Sequence, residues 1–525
     1  MHLNALDLTV FGLYAVILIF VAYWVSREKK GHEKDASDYF LASKSLPWWA
    51  IGASLIAANI SAEQIIGMSG SGYVIGMGIA AYELMAAITL IIIAKYFLPI
   101  FLARGIYTMP QFLENRYDGR VRTIMAIFWL ALYTFVNLTS VLYLGSLAIS
   151  QFLGVDMLYG MVFLVLFSMV YSIYGGLKAV AMTDIIQVIM LVLGGLFVSY
   201  LALNQISGGN GVIEGFSTLL EKAPEKFDMI ISSDNPNYDK IYMDLPGISV
   251  LIGGLWIMNI SYWGFNQYII QRALAAKSIQ EAQKGMAFAA YIKLFVPIIV
   301  VLPGICAVVL APELSKPDQA YPEMMKLLPH GLLGIAFAAL VAAIASSLSS
   351  MSNSISTIFT MDIYKKLINK EASEHKLVFV GRLTAFAAML IAIVLAKPLV
   401  GQSEQAFQFI QEFTGFFTPG IVVIFLFGFF WKKANANSAL VAAIASVVLS
   451  WSFKVFLPEV PFMDRVGLVF ILCCVLAALV TYLGGAKEQS NAIHLDDISF
   501  KTTSGFNIAS VGVVLILAAI YATWW

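Results

Sequence analysis

Polar side chains that could bind a small polar molecule interrupt the apolar stretches of this sequence. They are a carboxylate, an ammonium group, a phenol and several amides, namely Glu83, Lys293, Tyr262, Asn59, Gln64, Asn137, Asn259 and Gln411. A charged side chain within an apolar span costs about 2.5 to 3.5 kcal/mol on insertion scales, so it should contact a partner or a water-filled cavity. These groups together can bind several hydroxyls, and an aromatic ring can cover the apolar face of a sugar. The set therefore predicts a polyol-binding pocket.

A structural explanation of the same residues stays open. Glu83 and Lys293 could form a buried ion pair, and the amides could make separate hydrogen bonds between the helices of a bundle. In that case the polar groups stabilise helix packing and bind no solute.

Small and hydroxyl residues fill the run from Ala342 to Ser350. Within it the spacing i, i+3, i+4, i+7, which is one face of a helix, is occupied by Ala343, Ser346, Ser347 and Ser350. Hydroxyl and carbonyl oxygens suit a hard monovalent cation, and the carbonyls of Ala57 and Ile60 become available if the chain unwinds there. The pattern indicates a sodium site, although serines on membrane helices are often only close-packing contacts.

A second cation site is predicted one turn further along the same face. Ser346, Ser349 and Ser350 repeat the first spacing, and Asp184 lies at the start of another apolar span. A carboxylate there would partly neutralise a second sodium ion and lower the free energy needed to bury it. Alternatively, Asp184 caps its helix or pairs with a basic loop residue.

The elements that must position these residues include two broken helices. Polar residues and glycines interrupt one apolar span at residues 57–70 and another at residues 256–266. Backbone groups freed by a break must find a partner other than lipid, which is tolerated beside a cavity or a bound ion. Two such breaks in corresponding halves of a chain indicate the binding site of a secondary transporter.

Composition places the whole chain in a membrane. Hydrophobic residues make up 60% and charged residues 12%, against about 25% charged in soluble domains, and the mean hydropathy is +0.83. The net charge of zero gives no indication of a nucleic-acid partner. Cys306, Cys473 and Cys474 lie in apolar runs and predict neither a disulfide framework nor a metal site. The first apolar run, residues 8–25, lacks the flanks of a signal peptide and is predicted to be retained.

Apolar runs of about 20 residues predict an all-α integral membrane protein with fourteen spans. The spans are 7–26, 46–70, 76–103, 121–150, 156–176, 180–203, 247–270, 283–311, 330–364, 378–398, 403–431, 435–457, 463–484 and 504–525. Lys and Arg concentrate in alternate connections, which predicts that these are cytoplasmic and that both termini lie outside.

The two broken helices divide the chain into blocks. We expect an extra helix and cytoplasmic loop at 1–45, a five-helix repeat at 46–203, an outside connection at 204–246, a second five-helix repeat at 247–431 and three extra helices at 432–525. An odd number of spans per repeat makes the second start from the opposite side, which is the condition for an inverted repeat.

Several long segments resemble the sodium/solute symporter family, particularly its sodium/galactose and sodium/glucose members. They are residues 57–72, Tyr82-Glu83, 174–180 with Thr183-Asp184, 259–272, 346–364 and 405–415. The resemblance covers nearly the whole chain and implies a leucine-transporter-like fold that works by alternating access.

The resemblance also implies residue roles. Sugar-binding positions correspond to Gln64, Glu83, Asn259, Lys293 and Gln411, with Asn59 and Asn137 close by. The inner gate corresponds to Tyr262, and the outer gate to Met68, Tyr82 and Phe407. The sodium ligands correspond to Ala57, Ile60, Ala343, Ser346 and Ser347, and Asp184 resembles the aspartate of an additional sodium site. One position departs from the galactose transporters, because Ala86 replaces a serine that lines their pocket.

The sequence therefore predicts a sodium-driven symporter for a neutral hexose in the inner or plasma membrane. The expected partners are a small neutral sugar, sodium ions and the lipid bilayer, with no nucleic acid, and a homo-oligomer stays open. A symporter for inositol or an organic acid is the main alternative, and Glu83 favours a neutral polyol over an acid. A channel or a sensor is a further alternative, although a sensor would need a soluble signalling domain. An enzyme is not expected, since the five histidines, His2, His32, His330, His375 and His494, are scattered.

Overall fold

The computed structural model describes residues 3–25, 44–106, 108–403 and 405–525, with the side chains of 170–179 left out. Within these residues the chain is helical and has no β-strand, and its one isolated bridge joins Leu46 to Ala276. Most of the predicted first cytoplasmic loop, residues 26–43, and the side chains of the predicted connection around Lys178 lie outside the described part.

The long helices and the helices at the breaks are numbered in chain order. They are α1 (Ala5–Val25), α2 (Trp48–Asn59), α3 (Glu63–Val74), α4 (Met77–Arg104), α5 (Gly119–Leu153), α6 (Met157–Ile206), α7 (Gly254–Ile260), α8 (Gln267–Leu274), α9 (Ile279–Leu310), α10 (Leu332–Ile368), α11 (Glu374–Val400), α12 (Ala406–Gly415), α13 (Thr418–Phe430), α14 (Ala436–Phe456), α15 (Phe462–Leu483) and α16 (Ser504–Thr523). Shorter α-helices are Met109–Arg116, Val212–Lys222, Tyr238–Ile241, Ser249–Ile252 and Ala320–Met325.

Ten of the described helices are long and apolar enough to cross a membrane, or twelve if each of two bent pairs is one span. The chain is therefore a multi-pass membrane protein. Two of the fourteen predicted spans fall outside this count. The fifth, 156–176, forms the first part of α6, of which only Met157–Met169 is described with side chains before the gap at 170–179. The seventh is divided into α7 and α8 by an extended residue, Asn266.

Both predicted breaks are present. Helix α2 ends at Asn59 because Ile60 is extended (φ −75°, ψ 91°), and α3 leaves it at an angle of 60°. The second break follows a π-helical turn, Ser261–Phe265, after which Asn266 (φ −80°, ψ 122°) cannot continue the helix. Such π-helical turns occur frequently at functional sites.

A third bend was not predicted. The span expected at 403–431 is bent by 45° between α12 and α13. Pro419 lies in the first turn of α13, where its missing N–H and fixed φ are tolerated, but it cannot continue a helix from the preceding turn. The bend sets the direction of α12, which carries Phe407 and Gln411.

The buried helices form a core around α10. In the most apolar 18-residue stretch of α10, 89% of the residues are buried, whereas the corresponding share for α16 is 11%. Helix α6 packs against α10, α2 and α1, and α9 packs against α2 and α4. The first half of the broken helix, α2, thus lies between α6 and α9, whereas α16 exposes an apolar surface of the kind that faces lipid.

Candidate functional site

A cavity lies where the broken helices meet, and we call it the central cavity. Its volume is about 50 Å³, room for a few water molecules but too small for a sugar ring. The lining residues are Asn59, Glu63, Gln64, Met68, Tyr82, Glu83, Ala86, Met258, Asn259, Tyr262, Trp263, Phe407, Gln411 and Thr414. A solute larger than a few waters therefore requires the surrounding side chains to move apart.

Most of the predicted solute-binding residues line this cavity. They are Asn59, Gln64, Glu83, Asn259, Tyr262 and Gln411. The other two predicted residues, Lys293 and Asn137, do not line the cavity but lie behind residues that do. Lys293 is fully buried and contacts lining residues, and Asn137 is 5% exposed and lies beside Glu63.

Lys293 forms a buried ion pair with Glu83 and also donates a hydrogen bond to Asn59 Oδ1. Its ammonium group lies 5.0 Å from the centre of the Trp263 ring. A buried charge is tolerated only when it is paired and hydrogen-bonded, and Lys293 meets both conditions. The ion pair of the structural explanation is therefore present, and one of its members, Glu83, also lines the cavity. The pair adds no net charge to the cavity wall.

The Tyr262 hydroxyl is held from two sides. It accepts a hydrogen bond from Asn59 Nδ2 at 3.0 Å and another from the Tyr268 hydroxyl at 2.9 Å. Its ring packs edge-on against Trp263 with the centroids 5.2 Å apart. One face of the cavity is thus an aromatic wall whose position depends on Asn59, the last residue of α2.

The second break is stabilised by its own hydrogen bonds. Tyr133 on α5 donates to Asn266 Oδ1 at 2.6 Å and accepts from the Gln267 N–H at 2.9 Å. Backbone exposed by a break within a membrane must be satisfied internally, and Tyr133 supplies that partner at the start of α8.

The predicted outer gate residues close another side of the cavity. Met68, Tyr82 and Phe407 are buried, and the rings of Tyr82 and Phe407 meet edge-on at 5.2 Å. Gly67 permits this closure, because a Cβ there would lie 3.2 Å from Phe407 Cβ. The side of the membrane to which this gate opens stays a prediction.

Glu63 is a lining residue that the sequence pattern missed. It is 4% exposed, and its Oε1 has no hydrogen-bond partner among the described residues. The signal that selected Glu83, a carboxylate within an apolar span, was also present at Glu63. The π-helical turn Glu63–Met68 brings both Glu63 and Gln64 to the cavity.

The predicted first sodium ligands lie where α10 crosses the end of α2. All of them are buried: Ala57, Ile60, Ala343, Ser346 and Ser347. Ser347 donates to the carbonyl of Ala58 at 3.3 Å. The last carbonyls of a helix have no partner within it, so hydroxyl and carbonyl oxygens are close together here. No group of three or more His, Cys, Asp or Glu side chains suited to a metal occurs in the described part of the chain.

Comparison with known proteins decides the family. The sequence profile of the "Sodium:solute symporter family" matches residues 39–446. The chain belongs to this family. It is therefore a sodium-coupled solute symporter of a membrane.

Its relatives agree with this assignment. The chain is 51% identical to a "Sodium/glucose cotransporter" of Vibrio parahaemolyticus, over 100% of this chain and 99% of that protein. It is 34% identical to a "Sodium/myo-inositol cotransporter 2" of Mus musculus, over 84% and 69% respectively. A solved structure of a Na+-coupled sialic acid symporter, substrate-bound and outward-open, has a TM-score of 0.77 at 22% identity and covers 91% of this chain and 98% of its own. At that identity the match shows a shared fold.

In this symporter the residues of the predicted second sodium site lie close to an arginine, Arg272. Asp184 accepts hydrogen bonds from Ser346 and, at 2.5 Å, from Ser54 on α2. Arg272 on α8 donates to Ser350 at 2.6 Å and approaches Asp184 Oδ2 at 3.7 Å. A basic residue thus partly compensates the carboxylate, so a second sodium ion would have to displace the guanidinium group. Ser349 is buried beside this cluster, and its hydroxyl has no partner among the described residues.

Proposed function

We propose that this chain takes up a neutral hexose, of the galactose or glucose type, together with sodium. The observation that carries the proposal is the convergence of amides, an ion pair and aromatic rings on the central cavity. The Glu83–Lys293 pair adds no net charge to the wall, and no basic side chain is among the described lining residues to pair with an acid, so the cavity favours a neutral polyol over an organic acid. The 51% identity with the Vibrio cotransporter supports the same substrate class.

The coupling runs through the end of α2. A sodium ion bound by the carbonyls of Ala57, Ile60 and Ala343 and the hydroxyls of Ser346 and Ser347 would fix the last turn of this helix. Asn59 in that turn contacts both Lys293 and Tyr262. Sodium would therefore set the positions of the cavity wall, and the solute would bind more tightly when the ion is present.

The membrane arrangement is part of the proposal. Fourteen spans would form a leucine-transporter-like core of two inverted repeats, 46–203 and 247–431, with both termini outside and extra helices at 1–45 and 432–525. The two predicted breaks support it, since α2–α3 opens the first repeat and α7–α8 the second. The protein would lie in an inner or plasma membrane, and the connection 204–246 would lie on the outer side of that membrane.

A cyclitol such as myo-inositol is the second candidate. Ala86 lines the cavity without the hydroxyl that the galactose transporters have there, and relatives include myo-inositol cotransporters. A ring of hydroxyls without a ring oxygen would make the same contacts with the amides.

Uptake into proteoliposomes decides between these solutes. Labelled galactose, glucose, myo-inositol and an organic acid are offered with an inward sodium gradient, and with an equal potassium gradient as control. We expect sodium-dependent accumulation of a hexose. Accumulation of myo-inositol alone would select the second candidate, and accumulation of the acid alone would overturn the assignment.

A further inference from the structure

A second, larger cavity lies away from the central one, in a groove between the start of α2, α9 and α16. Its volume is about 290 Å³, close to the lower end of the range for small-molecule pockets, about 300 Å³. Helix α9 contributes Lys284, Phe288 and Tyr291, and α16 contributes Gly505, Phe506 and Ala509. We call this the lateral groove. No step proposed above uses it.

The lateral groove is polar at one end and apolar along the rest. Lys284, Ala287, Phe288 and Tyr291 occur at i, i+3, i+4 and i+7, so they form one face of α9 about 10 Å long. The Lys284 side chain is 51% exposed. At the other end the Tyr291 hydroxyl already donates to the Ala509 carbonyl at 2.9 Å. A molecule that fits this groove has one charged end and an apolar body.

The charge at the open end favours an anion. Among the described residues, the nearest carboxylate to Lys284 is that of Glu281, at 3.9 Å, which is longer than the roughly 2.7 to 2.9 Å of a strong charged hydrogen bond. Glu281 instead accepts a hydrogen bond from the Trp48 N–H at 2.8 Å. Trp48 is 38% exposed, and partly exposed tryptophans at helix ends mark the level of the membrane interface. Phosphate head groups lie at that level.

We infer that the lateral groove binds a membrane phospholipid with an anionic head group. The phosphate lies at Lys284, and an acyl chain runs along Phe288, Tyr291 and Phe506. Basic pockets between membrane helices bind anionic head groups in this way.

The bound lipid would hold α2 against α9. The two helices approach closely at Gly52, where a Cβ would lie 2.5 Å from Phe288 Cδ1 and 2.7 Å from the Gly285 carbonyl. Phe288 therefore contributes both to this helix contact and to the groove. A lipid that orders Phe288 should stabilise the fold.

The test is lipid binding to the full, delipidated protein in detergent, followed by native mass spectrometry. Phosphatidylglycerol is compared with phosphatidylcholine of the same chain length. The wild type should bind phosphatidylglycerol about fivefold more tightly, the factor expected for one lysine near an anionic head group. Lys284→Gln should weaken phosphatidylglycerol more than phosphatidylcholine, whose choline group already offsets its phosphate charge, and should thereby remove this preference.

Two matched controls accompany the variants. Lys432→Gln removes a lysine that is similarly exposed and similarly distant, at 4.0 Å, from a glutamate, and it should keep the preference. Gly505→Leu fills the groove from a position where a Cβ meets nothing within 4 Å, and it should weaken both lipids. Gly12→Leu on α1 adds the same side chain at an equally open glycine and should weaken neither.

Equal affinity of the wild type for the two lipids would overturn the inference. So would an equal effect of Lys284→Gln and Lys432→Gln. Because Lys284 is exposed, its variant should fold even if Gly505→Leu does not, and the melting temperature of each variant checks this. Binding is measured without transport, so the outcome is independent of the proposed solute.

Discussion

The ion pair of Lys293 and Glu83 connects solute binding to packing. Both side chains are buried, and removing one partner of a buried pair typically costs about 3 to 5 kcal/mol. A single substitution therefore cannot separate loss of binding from loss of stability, and a double substitution is needed.

Lys293→Ala should abolish hexose uptake and lower the melting temperature in detergent. The double variant Glu83→Gln with Lys293→Met should regain most of the thermal stability, because no unpaired charge stays buried, but it should not regain uptake. Uptake by correctly inserted double variant at the wild-type rate would show that the pair only stabilises the fold.

Two substitutions of Tyr262 separate the contribution of its hydroxyl to solute binding from that of its ring. Tyr262→Phe loses the two hydrogen bonds from Asn59 and Tyr268 and should weaken apparent solute affinity about fivefold, the effect of about 1 kcal/mol of lost hydrogen-bond free energy. Tyr262→Ala also loses the aromatic wall and should reduce uptake further. Initial uptake rates against solute concentration measure both, and equal losses would contradict a stacking role for the ring.

At the scale of elements, the crossing of α10 with the end of α2 should determine sodium affinity. Ser347→Ala removes the hydroxyl that reaches the Ala58 carbonyl and should raise the half-saturating sodium concentration about tenfold. Ser354→Ala is the matched control, since Ser354 is also buried on α10 and its hydroxyl has no partner among the described residues. Equal sodium dependence of the two variants would remove Ser347 from the site.

Asp318 provides a pH test of the contact between α3 and α12. It lies in the 3₁₀ turn Pro317–Gln319, and its Oδ2 accepts from the Ala406 N–H at the start of α12 at 3.3 Å. Its Oδ1 has no partner among the described residues, and a Cβ at Gly70 of α3 would lie 2.8 Å from it. Burial raises the pKa of Asp318 from 3.8 to about 7, although the Ala406 N–H and Lys316 oppose the rise.

The sign of the pH effect follows from the raised pKa. The folded protein keeps the proton of Asp318 up to about pH 7, whereas the unfolded chain loses it near pH 4. The free energy of unfolding should therefore fall as the pH rises from about 4 to about 7. Melting temperatures in detergent should show this slope, and Asp318→Asn should flatten it. Asp239→Asn, at an aspartate of the 204–246 connection that is not buried, should leave the slope unchanged.

For the whole molecule, the number of sodium ions sets the steepest solute gradient. One ion entering across 100 mV and a tenfold gradient releases about 3.7 kcal/mol, enough for accumulation of a few hundred fold. Two ions would square that ratio. The second ion is predicted to bind at the Asp184 cluster, where it would compete with Arg272 for the carboxylate.

We expect two sodium ions per solute in the wild type and one in Asp184→Asn. The contact between Arg272 and Asp184, at 3.7 Å, is long for a charged hydrogen bond, so a sodium ion held by Asp184, Ser346, Ser349 and Ser350 could displace it. The reversal potential of solute-coupled flux in proteoliposomes measures the stoichiometry. A value of one ion in the wild type, unchanged in the variant, would rule out the second site.

The sequence by itself determined the membrane class, the two breaks and most of the polar residues of the central cavity. Apolar length, charge content and interrupting residues are local properties, and the bilayer tolerates few alternatives to a helix at such places. For this reason the order of residues along the chain was enough to select Asn59, Gln64, Glu83 and Tyr262.

Only the tertiary structure decided how these residues are combined. It placed Lys293 behind the cavity wall, brought Glu63 into the lining and set Arg272 beside Asp184. It also bent the span containing Gln411 between α12 and α13. Each of these depends on contacts between helices far apart in the chain, and periodicity reports which face of one helix is polar but not which helix that face meets.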